Sequence, residues 1–443
     1  MAGIFKAYDI RGIYPTEVNE EIAYKIGFAY AKLIGKGPIA IGRDMRKSSL
    51  PLFQELSRGI TDAGLDVIDI GLVTTPMTTY CNGKYQYHGS IMVTASHNSK
   101  EYNGFKLSRK NAIPLGYDTG LAEIEKFAAN EICNPVQEKN KGEIYTKDIT
   151  DDYIEHVLSL AEKIKPLKIV IDAGNGMGGH ICPKIFEKLP CKLVPLYFEL
   201  DGNFPNHDAN PLEKENMIDL QKAVIAEKAD LGAAFDGDAD RIMFVDNHGE
   251  LVSADITTAL IAKNILLTHP NEIILYDLRS SKAVKEIIEK AGGTAHMTRV
   301  GHAFIKKQLR EENSIFAGEF SGHYYFRDHY YTDCASMALM HMLSLLSKEN
   351  TSLSNLIEPL KKYYGSGEIN SRVKDPDISI KAIEEKYKDA KINRLDGILI
   401  EYPTWWFNVR KSNTEPLLRL IVEADTELLL KEKTKEILDM IRS

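Results

Sequence analysis

Lys168-Ile-Val-Ile-Asp172, then Ala173-Gly-Asn-Gly-Met-Gly-Gly179, then the helical period of Ile181–Leu189 form one unit: an apolar run, a turn of small residues, a helix. It reads as strand, turn and helix. The unit recurs on either side. Ile39-Ala-Ile-Gly-Arg-Asp44 passes through Arg46, Ser48 and Ser49 into the amphipathic stretch Leu50–Ala63. Glu272-Ile-Ile-Leu-Tyr-Asp277 passes through Leu278-Arg-Ser-Ser281 into Lys282–Lys290. Such alternation predicts α/β domains in tandem with mixed, mostly parallel sheets. The C-terminal stretch differs. After Tyr363-Tyr-Gly-Ser-Gly367, which reads as a linker turn, apolar runs follow at Ile392–Leu395, Ile398–Tyr402, Trp405–Val409 and Leu417–Val422. They are too closely spaced for crossover helices and end in a helix, Glu427–Ile441, so a small α+β domain with antiparallel strands is expected.

Composition bounds the function. The 443 residues allow about three domains at roughly 150 residues each. A net charge of −8, with 44% apolar and 27% charged residues, describes a globular chain and argues against nucleic acid or an anionic membrane as partner. The best apolar run, Ala335–Leu346, is too short to span a bilayer and is broken by His341 and Ser344. No signal-peptide pattern opens the chain, and the five cysteines form no CxxC pair, so a cytoplasmic protein without a zinc or disulfide framework is expected.

Chemistry concentrates in four places. In Ile91-Met-Val-Thr94-Ala-Ser96-His97-Asn98, with Asn103-Gly-Phe-Lys106 behind it, Ser96 falls on the turn at the C-terminal end of a strand, where ligands of α/β sheets bind. It is either a nucleophile with an activating partner or a local turn cap. In Phe235-Asp236-Gly-Asp238-Ala-Asp240-Arg241, carboxylates spaced by two converge between two apolar runs. Three anions at close range call for a cation, and hard oxygen donors favour Mg²⁺ or Ca²⁺. Asn247 stands where an EF-hand loop needs a Glu, which argues against that motif. In Gly318-Glu319-Phe-Ser321-Gly-His323, alternation would put Glu319, Ser321 and His323 on one strand-like face, either to hold sugar hydroxyls or as a polar edge strand. In Arg410-Lys-Ser412-Asn413-Thr414-Glu-Pro416, an arginine, two hydroxyls and an amide in a turn between strands fit a phosphate dianion, or make an ordinary hairpin.

Gly174, Gly176 and Gly179 compete with this reading. They match GxGxxG between a strand and a helix, with Glu199 further on, as a dinucleotide site would require. Asp172 at the strand end speaks against it, and a NAD-binding oxidoreductase would leave the four clusters without a role.

Together the clusters resemble the α-D-phosphohexomutase family, and most closely its phosphomannomutase/phosphoglucomutase branch. Thr94-Ala-Ser96-His97-Asn98-Ser99 matches its phosphoserine loop, Asp236–Arg241 its metal loop, Gly318–His323 its sugar loop and Arg410–Pro416 its phosphate loop, in the family's order. Tyr8-Asp-Ile-Arg11-Gly12, Asp201-Gly-Asn-Phe-Pro-Asn206 and Gly301-His302 are further matches. The resemblance implies four domains arranged around a central cleft: 1–149 with the phosphoserine loop, 150–250 with the metal loop, 251–365 with the sugar loop, and 366–443 as the α+β domain with the phosphate loop.

It also implies an isomerase that interconverts mannose 1-phosphate and mannose 6-phosphate, with glucose phosphates as the alternative substrates. Ser96 would carry the phosphoryl group, and one Mg²⁺ per chain would sit on Asp236, Asp238, Asp240 and a phosphoryl oxygen of Ser96. Arg11, His97, Lys106, Arg241 and His302 would line the reacting centre, with Lys106 or His302 as acid and base. Glu319, Ser321, His323, Arg279, Arg410, Ser412, Asn413 and Thr414 would bind the phosphosugar, and a hexose 1,6-bisphosphate would be intermediate and activator. A monomer or homodimer is expected. A binding protein without catalysis is a further class, at odds with the full motif set. Three departures stand out: Ser99 in place of the family's usual proline, Arg279 where lysine is common, and Asn413 where glucosamine-specific relatives carry glycine.

Overall fold

A computed structural model describes residues 3–160, 163–411 and 417–442. By the density of internal contacts the chain divides into two compact units, Met1–Ser253 with Ser321–Leu353, and Ala254–Phe320 with Ser354–Ser443.

In the first unit one sheet runs β1 (Ile10–Ile13), β5 (Tyr102–Arg109), β4 (Gly89–Val93), β2 (Ile39–Arg43), β3 (Val67–Leu72), β7 (Ile144–Thr146), with β6 (Ile113–Pro114) beside β5. β2, β3, β4 and β7 are parallel; β5 and β1 are antiparallel additions. A second sheet orders β12 (Leu251–Val252), β11 (Ile242–Val245), β10 (Leu231–Phe235), β8 (Lys168–Asp172), β9 (Lys192–Leu196), parallel across β10, β8 and β9. Both are mixed and mostly parallel, as the strand–turn–helix repeats predict. The central strands β4 and β10 are buried throughout, as strands covered on both faces must be. Segment 321–353 adds a hairpin, β16 (Tyr324–Phe326) with β17 (Thr332–Asp333), and the helix Ala335–Glu349. That helix is buried on nearly every side from Ala335 to Ser347, which explains an apolar run that no membrane requires. No helix among the described residues is long and apolar enough to cross a membrane.

In the second unit β14 (Thr294–Thr298), β13 (Ile273–Asp277) and β15 (Phe316–Gly318) are parallel. The C-terminal sheet is wholly antiparallel, in the order β18 (Tyr364–Gly365), β23 (Leu417–Ala424), β22 (Trp405–Lys411), β21 (Ile398–Glu401), β20 (Lys391–Asn393), with β19 (Ile369–Arg372) also on β23. The helix Glu427–Arg442 follows. One expectation is corrected. Tyr364 and Gly365, read as part of a linker, form an edge strand: Ala424 and Glu423 offer β23's free edge, and pairing satisfies backbone groups that a linker would leave to water.

Helices Glu20–Ile34 and Ser49–Asp62 pack backbone to backbone. A Cβ on Gly27 would stand 2.2 Å from the Leu56 carbonyl oxygen, and one on Gly59 would stand 2.1 Å from that of Tyr24. The two glycines let the helix backbones touch, and side chains cannot yield where backbone is the obstacle. Gly59→Ala is expected to cost about 1–3 kcal/mol and to lower Tm by several degrees in a thermal melt, although alanine is the better helix former.

Candidate active site

β10 and β11 pair in antiparallel register with Phe235 opposite Ile242, so Asp236–Arg241 must close the connection in a tight loop. The loop winds around its first carboxylate: Asp236 Oδ1 accepts hydrogen bonds from the backbone N–H groups of Asp240 and Arg241, both at 3.1 Å. Ala239 takes the left-handed conformation (φ 57°), which turns Asp240 back toward Asp236. One oxygen from each of Asp236, Asp238 and Asp240 lies within 4.8 Å of the others, and all three residues are buried.

Ser96 follows β4 and is 1% exposed. Its hydroxyl donates to Asp236 Oδ2 at 2.8 Å, and His97 Nδ1 lies 3.3 Å from the Ser96 Oγ. Its backbone N–H donates to Thr94 Oγ1 at 2.9 Å, and its φ is +52°, a left-handed conformation that costs a non-glycine residue about 1–3 kcal/mol and persists only where the surroundings impose it. Gly237 is part of that imposition: a Cβ there would stand 2.4 Å from the Ser96 carbonyl oxygen, so only glycine lets the two loops meet.

Charge in this pocket is unevenly shared. Lys106 Nζ, on β5, donates to Asp238 Oδ2 at 2.7 Å and Asp240 Oδ2 at 2.5 Å. Burial works against its charge, yet the three aspartates hold its proton well beyond the usual lysine range. Burial likewise opposes ionisation of Asp240, but Lys106, His323 and Arg241 keep its carboxyl well below the ordinary value. Asp236 moves the other way, pushed up by burial and by its neighbours Asp240 and Asp238. His97 is driven well below the usual imidazole value by burial and by Arg241 and Arg11, so it is neutral at pH 7. Arg11 bonds Asp9 and the Asn98 side chain, bringing its guanidinium to the serine turn.

Two carboxylate oxygens of the Asp236–Arg241 loop remain without a hydrogen bond among the described residues. Asp238 Oδ1 is buried and accepts none, and Asp240 Oδ1 has only a 3.4 Å approach from His323 Nε2. Buried anionic oxygens without donors, converging beside a serine hydroxyl, fit a hard divalent cation.

The sugar-loop expectation needs correction. Glu319–Gly322 is a turn, not a strand, because Gly322 adopts φ +82° and reverses the chain, so the alternation carries no common face. His323 faces the metal loop instead: Arg241 Nε donates to its Nε2 at 3.2 Å, and Ser321 Oγ lies 2.9 Å from its Nδ1. Ile242 N–H donates to the Gly322 carbonyl at 3.0 Å, which locks the turn to β11.

In the second unit, Arg279 lies at the end of β13, pinned by Asp277 through Nε contacts of 3.0 Å to both carboxylate oxygens. Glu319 lies 3.7 Å from its Nη2. Glu368, absent from the sequence reading, gathers three guanidinium groups: Arg410 at 2.8 Å, Arg419 at 3.0 Å and Arg279 at 3.4 Å. Arg410 is buried. His302 opens the helix His302–Glu311 behind Gly301. Ser412, Asn413 and Thr414 lie outside the described residues. Thr75 also escaped the sequence: its hydroxyl donates to Asp238 Oδ2 at 2.6 Å from a helix start that carries no motif.

The glycine-rich turn after β8 is spent on structure. The N–H groups of Gly174, Asn175, Gly176 and Met177 go to Asp172 Oδ1 and to the carbonyls of Tyr197, Ala173 and Gly237. Four of the amides a pyrophosphate would need are already committed, which argues against the dinucleotide alternative.

Comparison with known proteins finds four family models in succession along the chain. Sequence models of phosphoglucomutase/phosphomannomutase match alpha/beta/alpha domain I at residues 2–133, domain II at 151–249, domain III at 253–363 and the C-terminal domain at 368–440. The chain belongs to the phosphoglucomutase/phosphomannomutase family. It is 40% identical to a phosphomannomutase of Escherichia coli over 99% of each chain. It is 41% identical to one of Methanocaldococcus jannaschii over 99% of this chain and 97% of that protein. A crystal structure of a phosphoglucomutase/phosphomannomutase family protein from Burkholderia thailandensis superposes with a TM-score of 0.91 at 31% identity, covering 99% and 96% of the two chains. As a phosphohexomutase the protein is an isomerase, an intramolecular phosphotransferase.

For this phosphohexomutase, Mg²⁺ at a hundred times its Kd should stabilise the fold by about 2.7 kcal/mol and raise Tm accordingly. Asp238→Asn should lose most of that shift in a thermal-melt titration; an undiminished shift would place the ion elsewhere.

Proposed function

We propose that this phosphohexomutase interconverts mannose 1-phosphate and mannose 6-phosphate through a phosphorylated Ser96, with glucose phosphates turned over by the same route. One observation carries the reading: a buried serine hydroxyl 2.8 Å from Asp236, in a pocket with two further aspartates whose oxygens include a buried one without a donor. The names of the Escherichia coli and Methanocaldococcus jannaschii relatives favour mannose.

In this reading Asp236, Asp238, Asp240 and a phosphoryl oxygen of Ser96 would hold Mg²⁺, which when bound withdraws negative charge from the phosphoryl group. The sugar hydroxyl attacks phosphorus; its new P–O bond forms as the bond to Ser96 Oγ breaks, and its proton passes to a base. Lys106 or His302 takes that role and returns the proton in the second half-reaction. Lys106, whose proton the three aspartates hold firmly, suits the acid half of that role, and His302 the base half. Arg11 and Arg241 offset charge around the serine turn. The resulting 1,6-bisphosphate turns over in the site and gives its other phosphate back to Ser96. Arg279 and Arg410, with Ser412, Asn413 and Thr414, would hold the phosphate that is not reacting, and Glu319 and Ser321 the hydroxyls.

Purified protein with Mg²⁺, mannose 1-phosphate and a trace of the 1,6-bisphosphate should form mannose 6-phosphate in a coupled assay. Ser96→Ala should lower kcat by more than ~10³-fold, since it removes the hydroxyl that would carry the phosphoryl group; retained turnover would sink the phosphoserine route. Values of kcat/KM for mannose, glucose and glucosamine 1-phosphates should fall in that order.

A further inference from the structure

Arg46 lies on the turn between β2 and helix Ser49–Asp62 and is buried. Its guanidinium donates to four main-chain carbonyls of one loop. Nη2 reaches those of Ser96 at 2.9 Å and Asn98 at 2.5 Å, and Nη1 those of Ser99 at 2.8 Å and Tyr102 at 3.0 Å. Asp44 Oδ2 lies 3.3 Å from its Nε, and Asp44 Oδ1 accepts from the Arg46 N–H at 3.0 Å and from Ser49 Oγ at 2.5 Å. The Phe204 ring covers the guanidinium at 5.0 Å, and Gly202 packs on its Cα, which gives the Asp201–Asn206 motif a task. The same turn reaches the strand that carries Lys106, for Asn103 Nδ2 donates to Ser48 Oγ at 2.7 Å and Ser49 Oγ at 3.0 Å.

This arrangement exceeds what an ordinary loop anchor needs. Four of the five donors of a planar fork go to the residues that surround Ser96, and a lysine's single nitrogen cannot span those acceptors. In a trans peptide a carbonyl drawn to one side sends the next N–H to the other. With the carbonyls of Ser96, Asn98 and Ser99 facing Arg46, the N–H groups of His97, Ser99 and Lys100 face away from it. The left-handed backbone of Ser96 is thus held from behind, while Asp236 receives the hydroxyl in front.

We propose that Arg46 is a positioning residue for phosphoryl transfer: it fixes the Ser96 turn so that Oγ keeps one place against Asp236 in both half-reactions. The proposal rests on the phosphoserine reading, and the two are tested apart. In Arg46→Lys, backbone amides at 97–102 should exchange hydrogen at least ~10-fold faster, and kcat should fall ~30–100-fold while KM for the hexose 1-phosphate stays within ~3-fold, the signature of a misplaced nucleophile rather than a lost binding contact. In Arg46→Ala, added guanidinium ion should restore part of kcat, which a merely structural defect would not allow. A folded Arg46→Lys variant with kcat within about two-fold of the unaltered enzyme would overturn the proposal, as would a kcat loss that only tracks the loss of folded protein without guanidinium rescue. Intact-mass measurement of the unaltered enzyme tests the other reading: absence of phosphate on Ser96 during turnover would overturn the phosphoserine route, while amide exchange and kcat in Arg46→Lys still decide whether Arg46 places the loop.

Discussion

Three carboxylates buried within 4.8 Å of one another, with a serine hydroxyl bonded to one of them, are the constraint around which the first unit is organised. At an effective dielectric constant near 20, each like-charged pair at about that distance repels by about 3–4 kcal/mol. The chain meets this load with Lys106, whose ammonium bridges Asp238 and Asp240, and with Arg241 and Arg11 nearby. Backbone N–H groups of Asp240 and Arg241 turn inward to Asp236 for the same reason. Even so, among the described residues an oxygen on Asp238 is left without a donor.

Bringing those groups together required backbones to touch. Gly237 meets the Ser96 carbonyl on one side and Gly176 on the other, where a Cβ on Gly176 would stand 2.7 Å from the Gly237 oxygen. The glycine-rich turn after β8 therefore braces the metal loop, and Met177 N–H completes the contact with a 2.9 Å bond to the Gly237 carbonyl. Its spacing imitates a dinucleotide fingerprint because both uses demand close backbone approach after a strand.

Much of this was legible in the residues. Carboxylates spaced by two between apolar runs announced a convergent loop, and Ser96 after a buried strand announced a site, because both patterns act over a few residues. The alternation of Glu319, Ser321 and His323 misled, since a single left-handed glycine at 322 undoes it and sequence does not show backbone angle. Tyr364 and Gly365 lacked a strand pattern of their own and became a strand through the free edge of β23. Arg46, Thr75 and Glu368 act across 50, 163 and 42 residues on Ser96, Asp238 and Arg410 respectively, and no local spacing encodes such partnerships. The hint for Arg46 was its place after Asp44 at the end of a strand; for Glu368 there was none.

In the proposed reading Arg279 and Arg410 hold the phosphate that is not reacting, and Glu368 then bears on turnover. Its carboxylate already occupies Arg279, Arg410 and Arg419, and those three guanidinium groups draw its proton affinity down against the opposing effect of burial. An anion arriving there does not fill a vacancy; it trades places with a resident. Affinity in such a site is a difference between two anions rather than the full attraction of three cations, which keeps a doubly charged ligand exchangeable. A catalyst that must release a product as highly charged as its substrate is served better by that trade than by a tighter grip.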